Sequence, residues 1–230
     1  MAKSERIEGS WSRVDAACAS REQLYVVEDT ILYRLAATGA FEPLTNRWRP
    51  RAMAALGDAL YIFDGDDTLY RVSQDDGSAT ALTGGWGEIR AAATTRDGLY
   101  VATGHAIYAI DPATGEETQL PQRWDVAHLA GLGTFLFVFE ADGTLRRLDP
   151  RDGTSTTLPG NWPLAAAVAA TQDAIFAVDD TVLYRIDPRT GAITRIDNRF
   201  LTTRLVALGA HLMSFEETGL YRVTLSPPGV

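Results

Sequence analysis

The sequence predicts an all-β protein, a six-bladed β-propeller closed by its own N-terminal strand, and three observations predict it. The first is a period. Aromatic residues recur at Trp11, Trp48, Trp86, Trp124, Trp162 and Phe200, with one step of 37 and every later step 38. Glycines keep the same 38-residue spacing at Gly39, Gly77, Gly115, Gly153 and Gly191, as do apolar residues at Leu44, Leu82, Leu120, Leu158 and Ile196. Six periods nearly exhaust the 230 residues, so the reading is one repeat domain over 1–230 with blades beginning near the six aromatics.

The second observation is that each period reads as four short strands. In the third, Ala91 to Thr94 forms strand a, Leu99 to Ala102 strand b, Ala106 to Ile110 strand c and Glu117 to Leu120 strand d. Between c and d lies Asp111-Pro112-Ala113-Thr114-Gly115, repeated as Asp149-Pro150-Arg151-Asp152-Gly153 and Asp187-Pro188-Arg189-Thr190-Gly191. Proline presets φ for such a turn and glycine takes the φ > 0 position that closes it. Four antiparallel strands in about 40 residues make a propeller blade.

The third observation separates a ring from a solenoid. The last period has strands a, b and c at Leu205 to Leu208, Leu212 to Phe215 and Leu220 to Leu225, then stops at Pro227-Pro228 without a strand d. The missing strand stands at the other end of the chain. Glu5-Arg6-Ile7-Glu8 precedes Trp11 as Leu44 precedes Trp48, so residues 4–8 are expected to complete the last blade. Such pairing removes two open sheet edges. The strand a segments, Ala16 to Ala19, Ala52 to Ala55, Ala91 to Ala93 and Ala165 to Ala167, are rich in alanine, as crowding at the hub requires.

Composition narrows the function. Apolar residues make 46% and charged residues 22% of the chain, which is globular rather than disordered. A net charge of −9 repels a phosphate backbone, so no nucleic-acid partner is expected. The single cysteine, Cys18, forms no internal disulfide, and on an inner strand it reads as a small core residue. No apolar signal-like segment follows Met1, which favours a cytoplasmic location, and the longest apolar run, Leu164 to Ala170, is too short to span a bilayer.

Two resemblances follow from the motifs. The unit Leu183-Tyr184-Arg185-Ile186-Asp187-Pro188-Arg189-Thr190-Gly191 looks like repeats of the pyrroloquinoline-quinone-type propellers. That family places its docking tryptophan four residues after the glycine; here Arg195 stands there and Phe200 comes nine after. The tryptophan opening each repeat, followed by paired strands such as Leu24-Tyr25-Val26-Val27 and Leu32-Tyr33-Arg34, is more similar to tectonin and tachylectin-type propellers. That likeness implies a sugar-binding or recognition role. Propellers host many functions, so the site must carry the rest.

Each candidate site also has a structural reading. The repeated tryptophans serve either as wedges between blades or as platforms for sugar rings. The wedge is favoured, because the sixth copy is Phe200 and the following residues (Ser12, Arg49, Gly87, Asp125, Pro163, Leu201) do not repeat. The strand c arginines, Arg34, Arg71, Arg147, Arg185 and Arg222, replaced by Ala109 in the third blade, read as locally paired. The acidic b–c loops, Glu28-Asp29, Asp64 to Asp67, Glu140 to Asp142, Asp179-Asp180 and Glu216-Glu217, lack the regular spacing of a calcium loop and read as solvated turns.

The position that does not repeat is the more informative one. Four residues after each aromatic, where strand a begins, stand Asp15, Ala52, Arg90, His128, Ala166 and Arg204, with Arg51 one residue earlier in the second blade. Asp15, Arg51, Arg90, His128 and Arg204 are therefore expected to ring the pocket mouth at the hub, with Arg90 opposite Arg204. Such a ring suits an anionic ligand. His105, His128 and His211 show no metal-ligand spacing and no nucleophile elbow occurs, so neither a metal nor a catalytic residue is assigned. The expectation is a non-catalytic, monomeric binding module without a cofactor, recognising a glycan or small polar or anionic ligand through its top-face loops. A protein–protein scaffold is the alternative, and a hydrolase or lyase with a channel site ranks third.

Overall fold

The computed structural model describes residues 2–225 and contains six four-stranded antiparallel sheets. After the N-terminal strand β1 (Ala2–Arg6), blade 1 holds β2 (Val14–Ser20), β3 (Gln23–Glu28), β4 (Ile31–Ala36) and β5 (Phe41–Asn46). Blade 2 holds β6 (Pro50–Leu56), β7 (Ala59–Asp64), β8 (Thr68–Ser73) and β9 (Ala79–Gly84). Blade 3 holds β10 (Ile89–Thr94), β11 (Leu99–Thr103), β12 (Ile107–Ile110) and β13 (Glu117–Gln119). Blade 4 holds β14 (Val126–Leu132), β15 (Phe135–Glu140), β16 (Leu145–Leu148) and β17 (Ser155–Leu158). Blade 5 holds β18 (Ala165–Ala170), β19 (Ile175–Asp179), β20 (Val182–Ile186) and β21 (Ile193–Asn198). Blade 6 is β22 (Thr202–Leu208), β23 (His211–Glu216) and β24 (Gly219–Leu225), and β1 pairs with β24 as its outer strand.

The closing strand sits slightly earlier than expected, at Ala2–Arg6 rather than 4–8. Its register runs Arg6 opposite Tyr221 and Glu5 opposite Arg222, and the Ile7 N–H still donates to the Leu220 carbonyl at 2.8 Å. Glu5 also pairs with the Arg222 guanidinium at 2.6 Å, which holds the Glu5 carboxyl below its ordinary pKa. The Pro227-Pro228 stop lies outside the described residues. The inner strands β2, β6, β10, β14, β18 and β22 each touch the next, and β22 touches β2, so the ring is continuous.

The repeated aromatics hold the blades together. The six apolar clusters lie one at each blade junction, and each contains one of Trp11, Trp48, Trp86, Trp124, Trp162 and Phe200, all at most 6% exposed. Burying an aromatic of ~150–250 Å² stabilises by about 4–6 kcal/mol at ~25 cal/mol/Å², as an upper value. No indole face is left open to stack on a sugar, so these residues are wedges. Strand c arginines add polar bolts. Arg34 donates to the Gln74 carbonyl, Arg147 to Pro188 and Arg222 to Ala37, each in the following blade.

Local chemistry sets the turns. Asp111, Asp149 and Asp187 accept backbone N–H bonds inside their own turns, and Gly115, Gly153 and Gly191 sit at φ of +79°, +75° and +72°. Those bonds hold the Asp111 and Asp187 carboxyls below the ordinary range, and Asp149, bound above all by the Arg151 side chain and then by its backbone N–H, falls to about 2. At the hub Gly131 is required for a different reason. A Cβ there would stand 1.9 Å from the Thr94 carbonyl oxygen of the neighbouring blade.

A finer period underlies the 38-residue one. Leu56-Gly57, Leu132-Gly133 and Leu208-Gly209 recur 76 apart, as do the strand b phenylalanines Phe63, Phe139 and Phe215 and the arginines Arg47, Arg123 and Arg199. Two residues separate the aromatic from strand a in blades 1, 3 and 5, and one in blades 2, 4 and 6. The ring is thus a threefold repeat of a blade pair, and this decides which residues face the hub.

Candidate ligand site at the mouth of the central channel

Every inner strand begins with a β-bulge. The register with strand b slips between Val14 and Ala16, Pro50 and Ala52, Ile89 and Ala91, Val126 and His128, Ala165 and Ala167, and Thr202 and Arg204. A bulge sets two residues opposite one and re-aims the extra side chain. The six bulge residues are Asp15, Arg51, Arg90, Ala127, Ala166 and Thr203. The next residues are Ala16, Ala52, Ala91, His128, Ala167 and Arg204. The position four residues after each aromatic falls alternately in these two classes, because the lead-in alternates between two residues and one.

Both classes reach the same place. Asp15, Arg51, Arg90, His128 and Arg204 all line one cavity of about 310 Å³ at the end of the channel where strand a begins, here the upper face. Its remaining walls are mostly alanine, leucine, valine and Met53. The lower end of the channel, about 230 Å³, is lined by alanine and other small or apolar residues with Cys18 and Thr94, and no charged side chain. Burial pushes the Cys18 thiol up to about 12, so it carries no thiolate at neutral pH.

The expected ring of free cations is only partly realised. Arg51 is held by the Asp67 carboxylate at 2.6 Å, by the Trp86 carbonyl at 2.8 Å and by the Gly87 carbonyl. Arg90, with a side chain 53% exposed, pairs with Glu88 at 2.6 Å. Arg204 differs. Its Nε donates to the Val14 carbonyl at 2.9 Å, and its two Nη groups have no hydrogen-bond partner among the described residues. Arg204 is exposed at the channel mouth, yet the protein packed beside its guanidinium partly desolvates it and lowers its pKa, with the Asp15 charge acting in the opposite sense. His128 sits 2.7 Å from the Ala165 carbonyl through Nε2. A carbonyl only accepts, so Nε2 carries the proton and Nδ1 remains an acceptor. Burial lowers the His128 pKa from 6.5 and the ring is neutral at pH 7. The mouth therefore offers guanidinium donors, one imidazole acceptor and one carboxylate, from blades 1, 2, 3, 4 and 6.

The acidic b–c loops prove partly structural. Glu28, Asp64 and Asp179 accept the backbone N–H of Arg13, Arg49 and Leu164, residues that lead into their own inner strands. Glu216 receives the Leu201 N–H in the same way, although burial dominates and raises its pKa. Each clamp fixes the segment that carries the bulge. Blade 3 has Thr103 at this place and lacks the acid. Sequence spacing missed the clamps, although an acid closing strand b in five blades was the available signal. Among the described residues no group of three or more His, Cys, Asp or Glu side chains could hold a metal ion, and no helix is long and apolar enough to cross a membrane.

No protein-family model matches the sequence, and no curated protein matches it. Solved structures do. A Bacteroides thetaiotaomicron protein of unknown function superposes with a TM-score of 0.76 at 12% identity, covering 98% of this chain and 76% of that one. A chain of a nidogen/laminin complex superposes with a TM-score of 0.71 at 11% identity, covering 90% and 99%. The extracellular domain of a putative hybrid two component system from B. thetaiotaomicron gives 0.65 at 16% identity, covering 94% of this chain but only 33% of its own length. At such identities the likeness carries the architecture alone, and by that architecture the chain is a six-bladed β-propeller.

Proposed function

We propose that the protein is a non-catalytic binding module that takes a small polar, anionic ligand, such as an acidic glycan unit, at the upper mouth of its channel. The observation that supports it most is convergence. Five polar side chains that do not repeat, Asp15, Arg51, Arg90, His128 and Arg204, enter one alanine-walled cavity, and Arg204 keeps unpartnered donors there. A partly desolvated guanidinium with free donors is a ready partner for a carboxylate or sulfate. The resemblance of the repeats to tectonin and tachylectin-type propellers points the same way. The test is an array of acidic and neutral glycans followed by melting of the full chain with each hit. A ligand that binds only the native state at about 100 times its Kd adds about 2.7 kcal/mol of stability. Arg204→Ala should remove that gain; acidic hits that stabilise wild type and Arg204→Ala equally contradict the reading.

A protein-scaffold reading has one specific observation in its favour. Leu164 and Leu201, 61% and 63% exposed, lead into the inner strands of adjacent blades on the same upper face. Retention of a protein partner by the wild type and its loss in a Leu164→Ser/Leu201→Ser variant would favour it.

A further inference from the structure

Blade 3 departs from blade 2 on the outer part of the upper face. Arg51 and Arg90 are equivalent bulge residues, and Asp67 and His105 are equivalent loop residues. The second equivalence rests on the backbone: the Asp67 carbonyl accepts from Trp86 N–H and the His105 carbonyl from Trp124 N–H, both at 3.1 Å. In blade 2 the Asp67 carboxylate of the b–c loop binds Arg51, whose guanidinium also donates to the Trp86 and Gly87 carbonyls of the lead-in to blade 3. Blade 3 has no counterpart to that carboxylate. Arg90 turns to Glu88 instead, and a cavity of about 450 Å³ opens, lined among others by Arg90, His105, Tyr108, Gln119, Arg123 and Asp125. Arg123 is exposed, and its side chain has no ion pair or hydrogen bond among the described residues.

We propose that this groove binds the carboxylate of a small hydroxylated acid, about one sugar acid in size, where Asp67 supplies a carboxylate in blade 2. The groove is a second cavity beside the channel mouth, and the proposal rests on that reading through Arg90, which lines both. Planar guanidiniums bind a carboxylate through paired N–H donors, and Arg90 and Arg123 flank the groove. Gln119, Tyr108 and Asp125 supply donors and acceptors for hydroxyl groups, and the volume falls within the ~300–1,000 Å³ of small-ligand clefts. Glu88 and Asp125 repel a second negative charge, so a monoanion is preferred over a dianion.

The test is calorimetric titration of the full chain with D-glucuronate, with D-glucose as the uncharged control. Glucuronate should bind at concentrations where glucose does not. Arg123→Ala should weaken it at least about tenfold, the loss of one charge-assisted contact. His105→Asp, which sets a built-in carboxylate in the groove, should weaken it to a similar degree while the protein stays folded. Arg71→Ala, on strand c of blade 2, should leave it unchanged. Unaltered affinity in both Arg123→Ala and His105→Asp overturns the groove. If Arg204→Ala alone then abolishes binding, the channel-mouth reading survives without it; glucuronate binding no better than glucose also overturns the proposal.

Discussion

At the scale of single residues, the wedge aromatics show how far identity alone goes. The Trp48 and Trp86 indoles donate to Thr45 and Thr83, three residues upstream, at 3.0 and 3.1 Å, and Trp11 donates to the Glu8 carbonyl. At the same upstream position blades 4 and 5 have Pro121 and Pro159, and there the Trp124 and Trp162 N–H groups are buried without a protein partner. Proline offers no side-chain acceptor. Thr83 does more, since its hydroxyl also donates to the Gly115 carbonyl at 3.1 Å. Thr83→Val should therefore cost about 1–3 kcal/mol, the penalty for orphaning a buried donor, measured by denaturant unfolding. A value near zero would mean that the indole bond is replaced at no cost. The wedge role was legible in the sequence because residues beside the aromatics do not repeat. The partner of each indole was not, because it depends on a rotamer three residues away.

At the scale of elements, strands and turns were the most legible part of the chain, because short apolar runs set between Asp-Pro-x-x-Gly turns follow from local chemistry. The bulge was not legible. One residue more or less before strand a leaves the 38-residue period of the aromatics intact, yet it changes which side chain occupies the bulge. The spacing grouped Ala52 with Asp15, whereas the bulge groups Arg51 with it. The clamps are hidden for a similar reason: an acid in a loop reads as solvated until its backbone partner is known. The closing strand is the element whose removal tests the ring. Deleting residues 1–9 strips β1 from β24, breaks the Glu5–Arg222 pair and removes Ile7, 6% exposed, from the cluster around Trp11. The loss should reach about 3 kcal/mol or more, a fall in Tm of roughly 6–12 °C. An unchanged Tm would mean that β1 decorates the ring without closing it.

At the scale of the whole molecule, symmetry and its breaking divide the labour. Six equivalent junctions build a rigid ring, and a blade-pair repeat leaves each of three sectors free to vary. Polar variation gathers at the upper mouth, while the lower channel stays small and apolar. A single sequence displays the period because all six copies must pack alike. It conceals the site because the site lies where the copies differ, and only the ring brings residues 15, 51, 90, 128 and 204 together. The most direct measurement follows arginine side-chain N–H signals by NMR while the full chain is titrated with an acidic sugar ligand. The account predicts that the Arg90 and Arg204 signals move together and saturate, while those of Arg71 and Arg185, on the strand c faces of blades 2 and 5, stay still. Saturable shifts confined to arginines away from the mouth would contradict it.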